Sequence, residues 1–87
     1  MTTEPKIVIY GNEFCAYCAA ARMLFTKKGL SFDDIRVSGH GEQREEMLRL
    51  SGSNSVPQIF INDHLVGGFD ELCALEERGE LDRLLAQ

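Results

Sequence analysis

Two cysteines three residues apart, in the run Cys15-Ala16-Tyr17-Cys18, are the part of this sequence best suited to chemistry. The thiolate is the nucleophile and the metal ligand, and a free cysteine is mostly protonated at neutral pH. The amino end of a helix shifts that balance, because its unpaired N–H groups and about half a positive charge favour an anion. Cys15 stands at or just before the first turn of a helical stretch. Cys18 follows three residues later on the same face, so the two sulfurs can meet and the Cys18 S–H can donate to a Cys15 thiolate. Cys15 is therefore expected to be the attacking thiol of low pKa, and Cys18 the more buried resolving one. The alternative for the pair is half of a zinc site. His40, His64 and Cys73 could nominally complete it, but they are isolated from one another, whereas structural zinc motifs bring two closely spaced ligand pairs. Three cysteines are an odd number, which excludes a fully paired disulfide framework within one chain. In a reducing compartment the Cys-x-x-Cys spacing argues for redox or metal chemistry.

The elements that must hold this pair can be read from pattern and punctuation. Lys6 to Tyr10 is a β-branched and aromatic run ended by Gly11-Asn12, a buried central strand. Cys18 to Lys28 is Ala-rich, with Ala20 and Leu24, and Ala21 and Phe25, at helical spacing, and Gly29 can stop it. Ser31 to Val37 supplies a second strand with Phe32 and either Ile35 or Val37 facing in. Glu42 to Leu50 is a second helix, acidic early, basic late at Arg49 and ended by Gly52. Ile59-Phe60-Ile61 is a third strand, Asn62-Asp63 a tight turn, and His64-Leu65-Val66 the returning fourth strand. A helix runs from about Asp70 to Glu77, is broken at Gly79, and precedes a short last helix carrying Leu81, Leu84 and Leu85.

The order β-α-β-α-β-β-α-α predicts an α/β fold. A right-handed crossover makes the first strand pair parallel, and the hairpin adds an antiparallel edge. Four strands of mixed direction, flanked by helices on both faces, form a three-layer sandwich. Cys15 then falls at the carboxyl end of the first strand, where open α/β sheets place their ligands.

Composition sets the bounds. With 87 residues the chain has length for one small domain, residues 1–87. Nine Lys and Arg against fourteen Asp and Glu give a net charge of −5, which argues against nucleic acid as a partner and against anionic membrane surfaces. No basic leader or long apolar run occurs, so the expected compartment is the cytoplasm. Cys73 reads as a buried small hydrophobe, His40 as a loop residue and His64 as a hairpin residue on an edge strand. Glu42, Glu45 and Glu46 read as a solvated helix face.

Taken together, Tyr10, Cys15-Ala16-Tyr17-Cys18, Ser55-Val56-Pro57-Gln58-Ile59-Phe60-Ile61 and Gly67-Gly68-Phe69-Asp70-Glu71-Leu72 resemble the glutaredoxin family, in its short dithiol bacterial form. The resemblance covers about Lys6 to Leu85. It implies the thioredoxin fold and a glutathione-dependent thiol–disulfide oxidoreductase that works as a monomer. Cys15 would reduce protein–glutathione mixed disulfides, and the Cys15/Cys18 dithiol would reduce protein disulfides. Glutathione would be the co-substrate, with no cofactor or metal required. Tyr17 matches the aromatic that flanks glutathione. Val56-Pro57 matches a cis-proline site whose preceding residue pairs with the glutathione main chain like one rung of a β-ladder. Asp70 matches the acid that meets the γ-glutamyl group, and Gly68, Phe69 and Glu71 complete the expected groove. Read from the residues alone, Pro57 is a trans strand-start proline, Asp70 has the alternative of a helix cap, compatible with the first role, and Gly67-Gly68 that of a plain turn.

The sequence also departs from the family pattern. Ala16 replaces a common proline, and Asn12 replaces a common lysine, removing one cation near the thiolate. Glu13 adds a negative charge there, so the helix terminus is expected to do more of the pKa lowering. Gln58 and Arg49 are candidates for the glycyl carboxylate of glutathione. Two other readings follow from the resemblance. One is an electron donor served by thioredoxin reductase, against which Tyr17 and Asp70 argue. The other, suggested by Ala16, is a carrier of a [2Fe–2S] cluster between two chains, held by Cys15 of each and two glutathiones.

Overall fold

The structure is a computed structural model and describes residues 4–39 and 41–87. The elements, in chain order, are β1 (Ile7–Gly11), α1 (Ala16–Lys27), β2 (Asp33–Arg36) and α2 (Glu42–Ser51). They continue with β3 (Gln58–Ile61), β4 (His64–Gly67), α3 (Phe69–Glu77) and α4 (Glu80–Leu85). Among the described residues the four strands form one sheet in the order β2-β1-β3-β4. β1 pairs parallel with β2 and antiparallel with β3, and β3 pairs antiparallel with β4. The expected four-stranded mixed sheet with helices on both faces is the observed architecture.

Period-two alternation sorts the sheet's side chains between two cores. Ile7, Ile9, Ile59 and Ile61 point to one face and are buried under Ala21 and Phe25 of α1, Leu72 of α3, and Leu81 and Leu85 of α4. Tyr10 points to the other face and is buried with Val37 and Met47 of α2, with Val8, Ile35 and Phe60 packed against them. β2 is shorter than predicted. Phe32 packs into the first core, while Ile35 and Val37 join the second, and only Asp33–Arg36 keep strand geometry at this edge. Val37 still donates its N–H to the Gly11 carbonyl at 2.9 Å.

The hairpin turn is as tight as its residues require. Asn62 and Asp63 have φ of 49° and 68°, and Ile61 faces His64 directly across a two-residue loop. Asn62 also accepts the Lys6 N–H at 2.9 Å and donates to the Leu84 carbonyl at 3.1 Å, tying β1, the hairpin and α4 together.

Candidate active site

β1 runs out beneath the amino end of α1, and the residue at that junction is Cys15. It is the N-cap of the helix, in extended conformation, with its sulfur accepting the Cys18 N–H at 3.3 Å. A cap needs an acceptor at that position, and here a thiol supplies it. Burial raises the Cys15 pKa, but it is outweighed by the Cys18 thiol, the N–H groups of Cys18 and Tyr17, and the charge of Arg22; the net direction is down from the usual 9. Cys18 is 0% exposed. Burial and its hydrogen bond to Cys15 push its thiol up to about 11. The surroundings of the two sulfurs thus act in opposite directions, lowering the Cys15 pKa and raising that of Cys18.

Arg22 was not singled out in the sequence. Its Nε lies 3.1 Å from Oδ1 of Asp34, and its Nη2 donates to the Asn12 carbonyl at 2.9 Å. The signal was available: Cys15, Cys18 and Arg22 fall at i, i+3 and i+7, one face of α1. Glu13, expected to oppose the thiolate, faces Arg36 at 3.6 Å, and Arg36 in turn holds Asp34 at 2.8 Å.

Beside the thiols lies a groove of about 180 Å³ lined by Tyr17, Ser55, Val56, Pro57, Gln58, Gly68, Phe69, Asp70 and Glu71. The residues that the resemblance matched to the groove, Tyr17, Val56, Pro57, Gly68, Phe69, Asp70 and Glu71, all lie in that lining. The Val56–Pro57 bond is cis. The Tyr17 and Phe69 rings form one wall, their centroids 6.3 Å apart. Phe14, the residue before Cys15, is 99% exposed.

Several side chains differ from their expected roles. Asp70 is not a helix cap. The N-cap of α3 is Gly68, so Asp70 is the second residue of the helix, and Glu71 reaches back to accept the Gly68 N–H at 2.7 Å. Asp70 is exposed, and its carboxylate has no hydrogen-bond partner among the described residues. Gly67 has φ of 109°, so the turn alone requires glycine there. Gln58 lines the groove, but its amide is committed to the Ser55 carbonyl at 2.9 Å. Arg49 lies on α2, away from the lining, with its charge bearing on Tyr10. Glu46 is more than a solvated acid, since it accepts the Tyr10 hydroxyl. Cys73 is half-buried rather than a core residue, because it sits at the side of α3 while Leu72 takes the inward position. His64 is exposed on the edge strand β4, as expected. His40 lies outside the described residues. Among those described, no three His, Cys, Asp or Glu side chains gather as a metal site.

A thiol capping a helix at the end of a central strand, with a second thiol one turn on and a cis-proline in the groove that Tyr17 between them lines, defines a dithiol oxidoreductase of the thioredoxin fold. Comparison with known proteins narrows that class. The family model for glutaredoxin matches residues 7–66. Glutaredoxin 3 of Escherichia coli (strain K12) is 47% identical over 80 residues, covering 92% of this chain and 96% of that protein. The solution structure of a Brucella melitensis glutaredoxin superposes with a TM-score of 0.81 at 46% identity, covering 95% of this chain and 90% of that one. The crystal structure of a buckwheat glutaredoxin–glutathione complex shares the fold with a TM-score of 0.83 at 24% identity, covering 93% and 76%. The chain belongs to the glutaredoxin family, and its chemistry is thiol–disulfide exchange.

Proposed function

We propose that residues 1–87 act as one cytoplasmic domain that reduces protein–glutathione mixed disulfides and protein disulfides at the expense of glutathione. The observation that carries this reading is the groove beside Cys15, where Tyr17, Val56, Pro57, Gly68, Phe69, Asp70 and Glu71 come together from three separate parts of the chain. The buckwheat protein that shares the fold is a complex with glutathione. A γ-glutamyl group carries an ammonium and a carboxylate. Asp70 offers an unpaired carboxylate to the first, and the start of α3 offers N–H groups to the second.

In the glutathione route, the Cys15 thiolate attacks the glutathione sulfur of a mixed disulfide. The protein thiolate leaves and takes a proton, glutathione stays on Cys15, and a second glutathione releases it as the oxidised dimer. In the dithiol route, Cys15 forms the mixed disulfide with a protein and Cys18 displaces that protein, closing a Cys15–Cys18 disulfide that two glutathiones reduce. The groove favours glutathione over thioredoxin reductase as the source of electrons, since it would serve no purpose for the latter. A cluster carrier would draw one Cys15 sulfur from each of two chains, and Cys18, fully buried, would stand aside.

The test follows from the asymmetry of the sulfurs. With glutathione and glutathione reductase as the coupling system, Cys15→Ser abolishes turnover of a glutathionylated peptide. Cys18→Ser keeps that activity and loses most reduction of a protein disulfide. Activity surviving in Cys15→Ser, or faster turnover with thioredoxin reductase than with glutathione, would overturn the reading.

A further inference from the structure

Closing the Cys15–Cys18 disulfide asks a buried sulfur to become an anion. In the reduced protein Cys18 is held as a thiol by burial, by its hydrogen bond to Cys15 and by the Cys15 charge. When Cys15 enters a mixed disulfide, its thiolate is gone, and with it two of those three influences. What stays beside Cys18 and favours the anion is the Asn12 N–H and the guanidinium of Arg22.

The Arg22 guanidinium is held in place from two sides. Asp34 of β2 takes its Nε at 3.1 Å, and the Asn12 carbonyl takes its Nη2 at 2.9 Å. Gly11 leaves open a space that guanidinium and sulfur both border. A Cβ at Gly11 would lie 2.8 Å from Cys18 Sγ and 3.3 Å from Arg22 Nη2, so these two atoms are within the sum of those lengths of each other. The other groups facing Cys18 are Cys15 on α1, Asn12 after β1, and Arg36 on β2, with Asp34 between the two arginines. Arg36 is 42% exposed and shared between Asp34 and Glu13, whereas Arg22 is only 16% exposed and so far less screened. The cation absent at the Asn12 side chain is thus supplied from α1 and held by the Asn12 backbone.

We infer that Arg22 is a positioning residue for the resolving step, its anchored guanidinium providing the positive charge beside Cys18 against which this sulfur ionises and attacks. Cys18 loses its proton to solvent and its thiolate attacks Cys15 Sγ. The bond between Cys15 and the substrate sulfur breaks, and the electron pair leaves on that sulfur, which takes up a proton. One disulfide forms and one is lost, so no further oxidant or reductant enters.

The inference rests on the dithiol route proposed above, and the experiment separates the two. Reduced protein is mixed with a peptide disulfide in single-turnover stopped flow, and release of the second peptide thiol is followed against pH. In Arg22→Gln that step slows about tenfold at neutral pH and its profile moves up by about one unit, the effect of one nearby charge partly neutralised by Asp34. Arg22→Lys, which keeps the charge, retains most of the rate. A Gln variant with an unshifted profile, or a Lys variant as slow as Gln, overturns the inference. If Cys18→Ser releases the second thiol as fast as the unaltered protein, the dithiol route itself fails.

Discussion

The two faces of the sheet are covered unequally. On one, Ile7, Ile9, Ile59 and Ile61 lie beneath three helices, with Phe25, Leu72 and Leu81 fully buried above them. On the other, α2 alone covers Val8, Tyr10, Ile35 and Phe60, and only its Met47 is fully buried. An apolar groove of about 350 Å³ stays open there, lined in part by Val8, Tyr10, Ile35, Leu50 and Phe60. The helices that carry the chemistry, α1 with its thiols and α3 with Asp70, both belong to the first face. Disulfide exchange needs its sulfur, groove and cap held in fixed relation, and packed side chains behind the elements that bear them provide this. From the thinly covered face the groove takes Val56, which packs against its core, and Gln58, which alternates with Ile59 along β3.

This comparison can be broken by experiment. The largest difference is expected between core truncations. Phe25→Ala should cost about 3–5 kcal/mol and Met47→Ala about 2–3 kcal/mol, because the open groove lets neighbours relax into the vacated space. Urea midpoints at unchanged slope measure both; equal costs would show that the faces are packed alike. A smaller effect separates groove from scaffold. Asp70→Ala should slow turnover of a glutathione mixed disulfide by up to about tenfold, the ceiling for an exposed charged contact, and leave a small uncharged disulfide nearly unaffected. Equal loss on both substrates would place Asp70 in the scaffold.

The smallest effect sharpens the picture of the thin face. Burial, and then the acceptor Glu46, push the Tyr10 hydroxyl up from 10 to about 12. A group whose folded pKa is raised stabilises the fold below its unfolded pKa, and that contribution disappears as pH rises through the folded one. Tyr10→Phe should therefore cost about 1 kcal/mol at neutral pH. The gap to the unaltered protein should close as pH climbs from 10 towards 12. A constant gap across that range would mean that the hydroxyl contributes through packing alone.

Most of this architecture was legible because local signals agreed with one another. The β-branched runs of β1 and β3, the Asn62-Asp63 turn and the glycines after the first three helices all point to the same topology. The thiol pair was legible because spacing on a helix is geometry. What escaped the sequence depends on contacts made across the fold. Arg22 gains its role from Asp34, on a neighbouring strand, and from a backbone carbonyl, neither of which has a sequence signature. Glu46 meets Tyr10 from 36 positions away. Glu71 rather than Asp70 caps α3, because the helix begins at Phe69 with Gly68 as its N-cap, and the place of that start decides which carboxylate can reach back. The glutathione groove was reached through a family resemblance, since no periodicity brings Tyr17, Pro57 and Asp70 together.

Gly11 closes the first strand and reads in the sequence as a turn residue. Its φ is not among the positive values, so its backbone would accept any amino acid. The obstacle is volume: a methyl group there would press 2.8 Å from the Cys18 sulfur and 3.2 Å from its Cβ. Positions 11 and 18 are therefore epistatic. Bulk at 11 becomes tolerable mainly in a chain that has already given up the sulfur at 18. Once that bulk is in place, a cysteine restored at 18 finds its room taken, so the loss of the second thiol is easier to make than to reverse.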